Sequence, residues 1–308
     1  MTNTILVTGS LGLVGRRLCS SLRSRGYSVR EFDIRGTGGR YGDVTNAADL
    51  DAAIHGCDGV VHLAAVSRVV WGQRDPDLCW RTNVGGLQSL LEIAQQKTTK
   101  PWILFSSSRE VYGQASSLPV SEDAPLRPVN AYADSKVEGE RLISLARSAG
   151  LQTAVVRLSN VYGCTKDHAD RVVPAFARAA ALGKVMHVEG ASHTFDFTHV
   201  DDVVRGVNLL IDRLQSGIQT LPTLHLLTGH PTTLGQLAVL CHELGDQASQ
   251  IAEAPPRTYD VAHFYGDPVQ ASKILGWKPE ISLRTGVQRL VEDFKQEYAQ
   301  QSAMEIAV

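Results

Sequence analysis

Tyr132 and Lys136 stand four residues apart, with Ser108 about two dozen residues before them. On a helix, that spacing puts both side chains on one face. A lysine ammonium beside a phenol would draw its pKa down from roughly 10 toward working pH. A tyrosinate poised in this way takes the proton from a hydroxyl as hydride leaves the same carbon. The chain has eight tyrosines, so the pair gains its weight from position. Ser108 lies in Phe105–Gly113, which closes a strand, and Tyr132-Ala133-Asp134-Ser135-Lys136 opens the helix that follows. All three groups should therefore meet at the carboxyl edge of a sheet.

A second motif supplies what a hydride transfer needs. The first strand ends in Thr8-Gly9-Ser10-Leu11-Gly12-Leu13-Val14-Gly15, with a glycine every third residue. In a strand-to-helix turn, Gly9 takes the tight bend and Gly12 lets backbone approach a pyrophosphate. Gly15 lets the helix pack close, with its N-terminus toward the phosphates. Asp33 ends the next strand, near the spacing expected of the acid that binds the adenosine ribose. A carboxylate there favours NAD over NADP, although Arg35, two residues on, is a residue type that receives an extra phosphate. Gly42-Asp43-Val44 and His62-Leu63-Ala64-Ala65 follow the second and third sheet units, beside the adenine and the centre of the cofactor.

The elements that must position these residues can be read from periodicity. Strands are predicted at Thr4–Thr8, Ser28–Asp33, Gly59–Leu63, Pro101–Ser106 and Gln152–Leu158, alternating with helices at Leu13–Arg25, Ala47–His55, Asp75–Gln96 and Asn130–Ala149. This is the pattern of repeated βαβ units. The fold class is thus α/β, a Rossmann-type doubly wound parallel sheet with a smaller, interleaved C-terminal substrate-binding lobe. After Leu158 the alternation stops. Helices are expected at Val172–Leu182, Val200–Leu214, Leu234–Leu244 and from about Arg284, with a short strand at Leu224–Leu227 and fraying beyond Ala299. The predicted division is 1–158 plus 196–215 for the dinucleotide domain, 159–195 and 216–300 for the second lobe, and 301–308 for a tail.

Composition narrows the function classes. Lys+Arg 30 against Asp+Glu 32 gives a net charge of −2, which argues against a nucleic-acid partner. The longest apolar runs are too short to span a bilayer, and the first residues enter a strand with no signal region. A cytoplasmic enzyme is expected. Five scattered cysteines show no paired spacing and the ten histidines form no chelating motif, so neither disulfides nor a metal are expected.

These motifs together resemble the extended short-chain dehydrogenase/reductases, in their nucleotide-sugar epimerase and dehydratase branch. The similarity adds Asn83-Val84-x-Gly86, Val111-Tyr112-Gly113, Arg157 to Gly163, Asp196 to Asp202 and Leu275 to Pro279. It implies that Tyr132 is base and acid, that Lys136 holds the nicotinamide ribose, and that Ser108 hydrogen-bonds the reacting oxygen. The implied NAD surface comprises Gly9, Leu11, Gly12, Leu13, Val14, Gly15, Asp33, Ile34, Arg35, Asp43, Val44, Leu63, Ala64, Ala65, Asn83, Ser106, Tyr132 and Lys136. A nucleotide-diphosphate sugar would meet Ser67, Arg68, Ser108, Arg109, Asn160, Arg171, Val172 and Arg257. The family packs the 75–96 and 130–149 helices into a dimer, which implies a homodimer.

Two positions depart from that family. Where its members carry an arginine that pairs with the substrate diphosphate, this chain has Phe195; Arg257 resembles a second phosphate-binding arginine, and Arg171 is a candidate substitute. Ser108 is followed by Arg109-Glu110, where dehydratases have an Asp-Glu pair and 4-epimerases small or neutral residues. Glu110 is therefore either an eliminating base or an ion-paired structural carboxylate. The leading expectation is a 4-epimerase working through a transient 4-keto sugar. A dehydratase or decarboxylase using Glu110 stands beside it, with a net sugar dehydrogenase or reductase as a third reading. A non-catalytic dinucleotide sensor or RNA-binding relative would have no physical need for a lysine-tuned tyrosine.

Overall fold

A strand that is apolar on both faces needs helices over both, and this requirement builds the larger part of the molecule. A computed structural model describes residues 3–218, 220–256 and 261–306, with side chains as far as Ser302. Strands β1 (Thr4–Thr8), β2 (Ser28–Phe32), β3 (Gly59–His62), β4 (Trp102–Ser108), β5 (Thr153–Leu158) and β9 (Leu224–Leu226) form a parallel sheet in the order β2-β1-β3-β4-β5-β9. Because successive side chains alternate in facing, Ile5 and Val7 pack with helices α1 (Leu13–Ser24), α8 (Val200–Gln215) and α10 (Val269–Leu275). Leu6, Val60 and Phe105 point the other way, toward α2 (Ala47–Ile54), α5 (Gly86–Gln96) and α6 (Ala131–Ser148).

Strand order reverses between β1 and β3, so the connections leaving their carboxyl ends diverge and open a crevice. The second lobe overhangs it. Here β6 (Asn160–Tyr162), β8 (Thr194–His199) and β10 (Pro231–Thr233) make one small sheet, and β7 (Val185–Glu189) pairs with β11 (Gln250–Ala254). Helices α7 (Val172–Ala181), α9 (Leu234–Leu244) and α11 (Leu283–Ile306) enclose a separate core around Phe176, Phe197, Leu237 and Leu290.

The motif residues near Asp202 and Trp277 serve this architecture. Asp202 accepts the amides of Glu280 and Ile281 at 3.0 and 2.9 Å, while Trp277 Nε1 donates to the Asp202 carbonyl at 2.9 Å. They tie α8 to the turn after α10. Asp196 is likewise fully buried, accepting from the amides of Thr228 and Gly229 and from the Thr228 hydroxyl. Burial pushes its pKa up.

The structure differs from the sequence expectation in three places. The helix expected over 75–96 is broken into α4 (Pro76–Trp80), a π-helical turn at Arg81–Gly85 and α5, and α3 (Val69–Arg74) precedes it. The wide turn carries Asn83, which accepts the Val66 amide at 2.7 Å and donates to Ser135 Oγ at 2.9 Å; such insertions in helices recur where a side chain must be re-aimed. Second, β9 and α10 fall within 216–300 yet pack on the main sheet, through Leu224, Leu226, Ala271 and Trp277. Third, α11 continues to Ile306 in place of a frayed end, since Ala, Gln, Met and Glu all favour helix.

Candidate active site

Each functional side chain reaches the crevice from an element that ends there. The turn after β1 is fixed by backbone proximity. A Cβ on Gly9, whose φ is +68°, would lie 2.7 Å from the Ala64 amide nitrogen, and one on Gly15 would lie 2.2 Å from the Gly9 carbonyl oxygen. Gly12 caps α1 with no side-chain hydrogen bond, and no acidic residue stands in that helix's first turn. The helix end thus keeps its amides and positive pole for an anion. Ser10, almost fully buried beside it, has a hydroxyl without a partner among the described residues.

Asp33 closes the turn from the side. Its Oδ2 accepts the Leu11 amide at 2.9 Å and its Oδ1 the Arg35 amide at 2.9 Å, with Arg35 Nε at 3.1 Å. Burial opposes ionisation, but the Arg35 contacts and the Leu11 amide outweigh it and hold the carboxyl below its usual range. Arg35 folds back onto this acid, so it neutralises Asp33 and is not aimed outward for a phosphate. A glycine cradle, an open helix end, an unpartnered hydroxyl and an ionised acid one strand over fit a dinucleotide such as NAD.

Ser108, Arg109, Glu110, Tyr132 and Lys136 line the same cleft, of about 510 Å³, with Ser106, Leu63 and Ala65. Asn130 caps α6 by accepting the Ala133 amide at 2.9 Å, which sets Tyr132 in the first turn. Burial pushes the Tyr132 phenol up to about 12; Ser108 and Arg171 pull it down, and Glu110 pushes it further up. Lys136 differs from expectation. Its Nζ donates to the Ser106 carbonyl at 2.8 Å and lies 5.8 Å from the centre of the Tyr132 ring. Desolvation brings its own pKa down to about 8. The i, i+4 face is shared, but burial of both groups dominates their titration and the ammonium is turned to the strand end.

Behind these groups lies a buried polar brace. Arg157 on β5 holds Glu140 of α6 through two bonds, at 2.8 and 2.6 Å, and Glu140 accepts from Ser107 at 2.5 Å. Glu140 sits one turn after Lys136, so the brace locks the helix bearing Tyr132 and Lys136 to the strand bearing Ser108.

The second lobe forms the opposite wall. Asn160, Arg171 and Val172 line the cleft with Phe195, and Ser67 and Arg68 face them from the β3 side. Arg68 is ion-paired with Asp170 across the opening, and Arg171 lies 3.6 Å from Asp167. Glu110 is paired with Arg109 at 2.7 Å and accepts from Asn130 at 3.3 Å. Leu11, Asp33, Ile34, Arg35, Asp43, Val44 and Ala64 do not line this volume. Most belong to the β2 side, where the Asp33 carbonyl receives the Gly42 amide and Asp43 accepts the Thr45 amide, while Ala64 follows β3 and lies against Gly9. Asn83 is also outside it, fastening the 63–68 loop. Arg257 lies outside the described residues. Sequence reasoning missed Ser107, Ser159, His187, Glu189 and Leu234, which also line the cleft; His187 and Glu189, alternate residues of β7, carry no local motif.

Among the described residues no helix is long and apolar enough to cross a membrane, and no cluster of His, Cys, Asp and Glu is placed to hold a metal. Known proteins resemble the chain over nearly its whole length. A putative UDP-glucose 4-epimerase of Methanocaldococcus jannaschii is 31% identical over 307 residues, 94% of this chain and 98% of that protein. A crystal structure of UDP-glucose 4-epimerase from Thermotoga maritima with UDP-glucose superposes with a TM-score of 0.87 at 28% identity, covering 96% of this chain and 99% of that one. The structure of MoeE5 with UDP-glucuronic acid and NAD gives 0.86 at 27% identity, over 96% and 100%. Residues 5–220, most of the chain and all of the cradle, catalytic group and facing lobe wall built from β1 to α8, match the NAD dependent epimerase/dehydratase family, so the protein belongs to that family and is an NAD-dependent enzyme.

Proposed function

We propose that the protein is a nucleotide-sugar 4-epimerase that keeps its NAD bound through the cycle. One observation carries this: Ser108, Tyr132 and Lys136 share a cleft with the Gly9–Gly15 cradle. Full-length relatives that are UDP-glucose 4-epimerases supply the reaction. Ser108 and Tyr132 face the hydroxyl to be oxidised. Tyr132 takes its proton, Lys136 fixes the cofactor-side geometry from the Ser106 carbonyl, and Tyr132 returns the proton after the 4-keto sugar turns over in the cleft. When bound, NAD would supply the hydride acceptor, give the hydride back to the 4-keto sugar, and add a positive charge that favours ionisation of a phenol that burial otherwise keeps neutral.

The state of Glu110 favours epimerisation over elimination. Its two oxygens are taken up by Arg109 and Asn130, so it is placed as a brace rather than as a free base. Exposed Leu78 and Trp80 on α4 and Leu145 on α6 give the expected dimer helices apolar surface, which supports a homodimer. A cytoplasmic location belongs to the same proposal.

The test is to incubate the purified protein, without added cofactor, with UDP-glucose and with UDP-glucuronate and follow the 4-epimers by proton NMR. Epimer formation with near-stoichiometric NAD released on denaturation is the expected result. Turnover that consumes added NAD(P)H, or none on any nucleotide sugar, would sink the reading.

A further inference from the structure

Arg109 is a buried cation with an incomplete set of bonds. It follows Ser108 directly, lines the cleft and is 8% exposed. Its Nη2 meets Glu110 Oε1 at 2.7 Å, and its guanidinium carbon lies 4.7 Å from the centre of the Phe195 ring and 5.5 Å from that of Phe264. Its Nη1 is buried with no hydrogen-bond partner among the described residues. Two aromatic rings and one ion pair fix the plane of the group, which leaves it little freedom to swing toward another acceptor.

A buried guanidinium nitrogen without an acceptor is unfavourable unless a ligand or an ordered water completes it. The planar fork matches the paired oxygens of a carboxylate or phosphate. The other cleft arginines are already engaged, Arg68 by Asp170 and Arg171 near Asp167. Across the cleft, Asn160 Nδ2 is also buried without a partner, offering a second donor to the same space.

We propose that Arg109 is the anion-recognising residue of the substrate cleft, its Nη1 binding an oxygen of either the nucleotide diphosphate or a carboxylate on the sugar. This deepens the nucleotide-sugar reading and rests on it. Phe195, which stands where the resembling family has an arginine, becomes the platform for the cation instead of its source.

The experiment titrates the full-length, NAD-bound protein and its Arg109→Gln variant with UDP, UDP-glucose and UDP-glucuronate by calorimetry, with circular dichroism and NAD content checked first. The variant should bind about 10- to 100-fold more weakly, the range for one charge-assisted hydrogen bond. A loss shared by all three ligands assigns the oxygen to the diphosphate, and a loss confined to UDP-glucuronate assigns it to a sugar carboxylate. A folded variant that binds all three like the wild type overturns the proposal. Should Arg109→Gln fail to fold, Arg109→Lys is read in its place: it keeps the charge and loses the fork, and unchanged affinity again overturns the proposal. A wild type that binds UDP-sugars without epimerising them defeats the proposed function but not this inference, whereas one that binds none of the three defeats both.

Discussion

Asn130 joins the Glu110 carboxylate to the start of the catalytic helix: its Nδ2 donates to Glu110 Oε2 at 3.3 Å while its Oδ1 caps α6 at the Ala133 amide. Glu110 therefore supports the turn that presents Tyr132. Replacing it with glutamine should leave epimerisation within about tenfold of wild type, because no proton in that reaction passes through it. The same change leaves Arg109 buried without its counter-ion, a loss on the order of 3 kcal/mol. NMR turnover and urea unfolding check the two halves, and a collapse in turnover with stability intact would point to elimination chemistry.

Asp33 holds the adenosine side of the cradle through an acid kept ionised by Arg35 and the Leu11 amide. Asp33→Ala should weaken NAD retention by about 10- to 100-fold, the worth of one charge-assisted hydrogen bond. The measurement is NAD per protomer after dialysis. Retention equal to wild type would remove Asp33 from the site.

Tyr132→Phe removes one oxygen and leaves the surrounding packing in place. Turnover should fall about 10²- to 10⁴-fold, with bound NAD unchanged by absorbance. A variant that turned over normally would shift the proton to another group.

A buried relay gives a pH prediction away from the cleft. Arg157 donates to the Tyr112 hydroxyl at 2.5 Å, that hydroxyl donates to His225 Nε2 at 2.6 Å, and His225 Nδ1 faces the Asp267 carbonyl at 3.3 Å. This arrangement assigns the neutral tautomer with its proton on Nδ1. Burial, aided by Arg157, brings the His225 pKa down to about 4. Between pH 4 and about 6.5 the unfolded chain binds a proton here that the folded chain refuses, so stability rises with pH across that window and is fully present above it. The contribution is roughly 3 kcal/mol. Urea unfolding from pH 4 to 7 should show this slope in the wild type and a shallower one in His225→Gln.

Much of this is legible in the sequence, for reasons visible in single residues. Gly9 and Gly15 are forced by backbone contact and Gly12 is held close to the Gly9 carbonyl, so their spacing carries the whole cradle. Tyr132 and Lys136 share a helical turn, so their facing followed from periodicity. What sequence could not supply was desolvation: the i, i+4 pair predicts a lowered phenol, yet burial raises it, and Lys136 donates to the Ser106 carbonyl. Nor could it supply partners distant in the chain, such as Asp170 for Arg68 or Phe264 for Arg109. His187 and Glu189 line the cleft from β7, in a lobe whose strands carry no motif that points there.

The last strand of the main sheet, β9, arrives after the chain has already built β6 to β8 and α7 in the other lobe. During synthesis, the segment matched by the family ends before that strand emerges. Until it does, β5 presents Val156, Arg157 and Leu158 along a bare edge, with the row of unpaired backbone groups that invites pairing with another chain. A protein cut at residue 220 would keep Ser108, Tyr132 and Lys136 and leave that edge unpaired. The nascent chain carries the same exposed edge between release of β5 and arrival of β9, the kind of surface that chaperones shield in general.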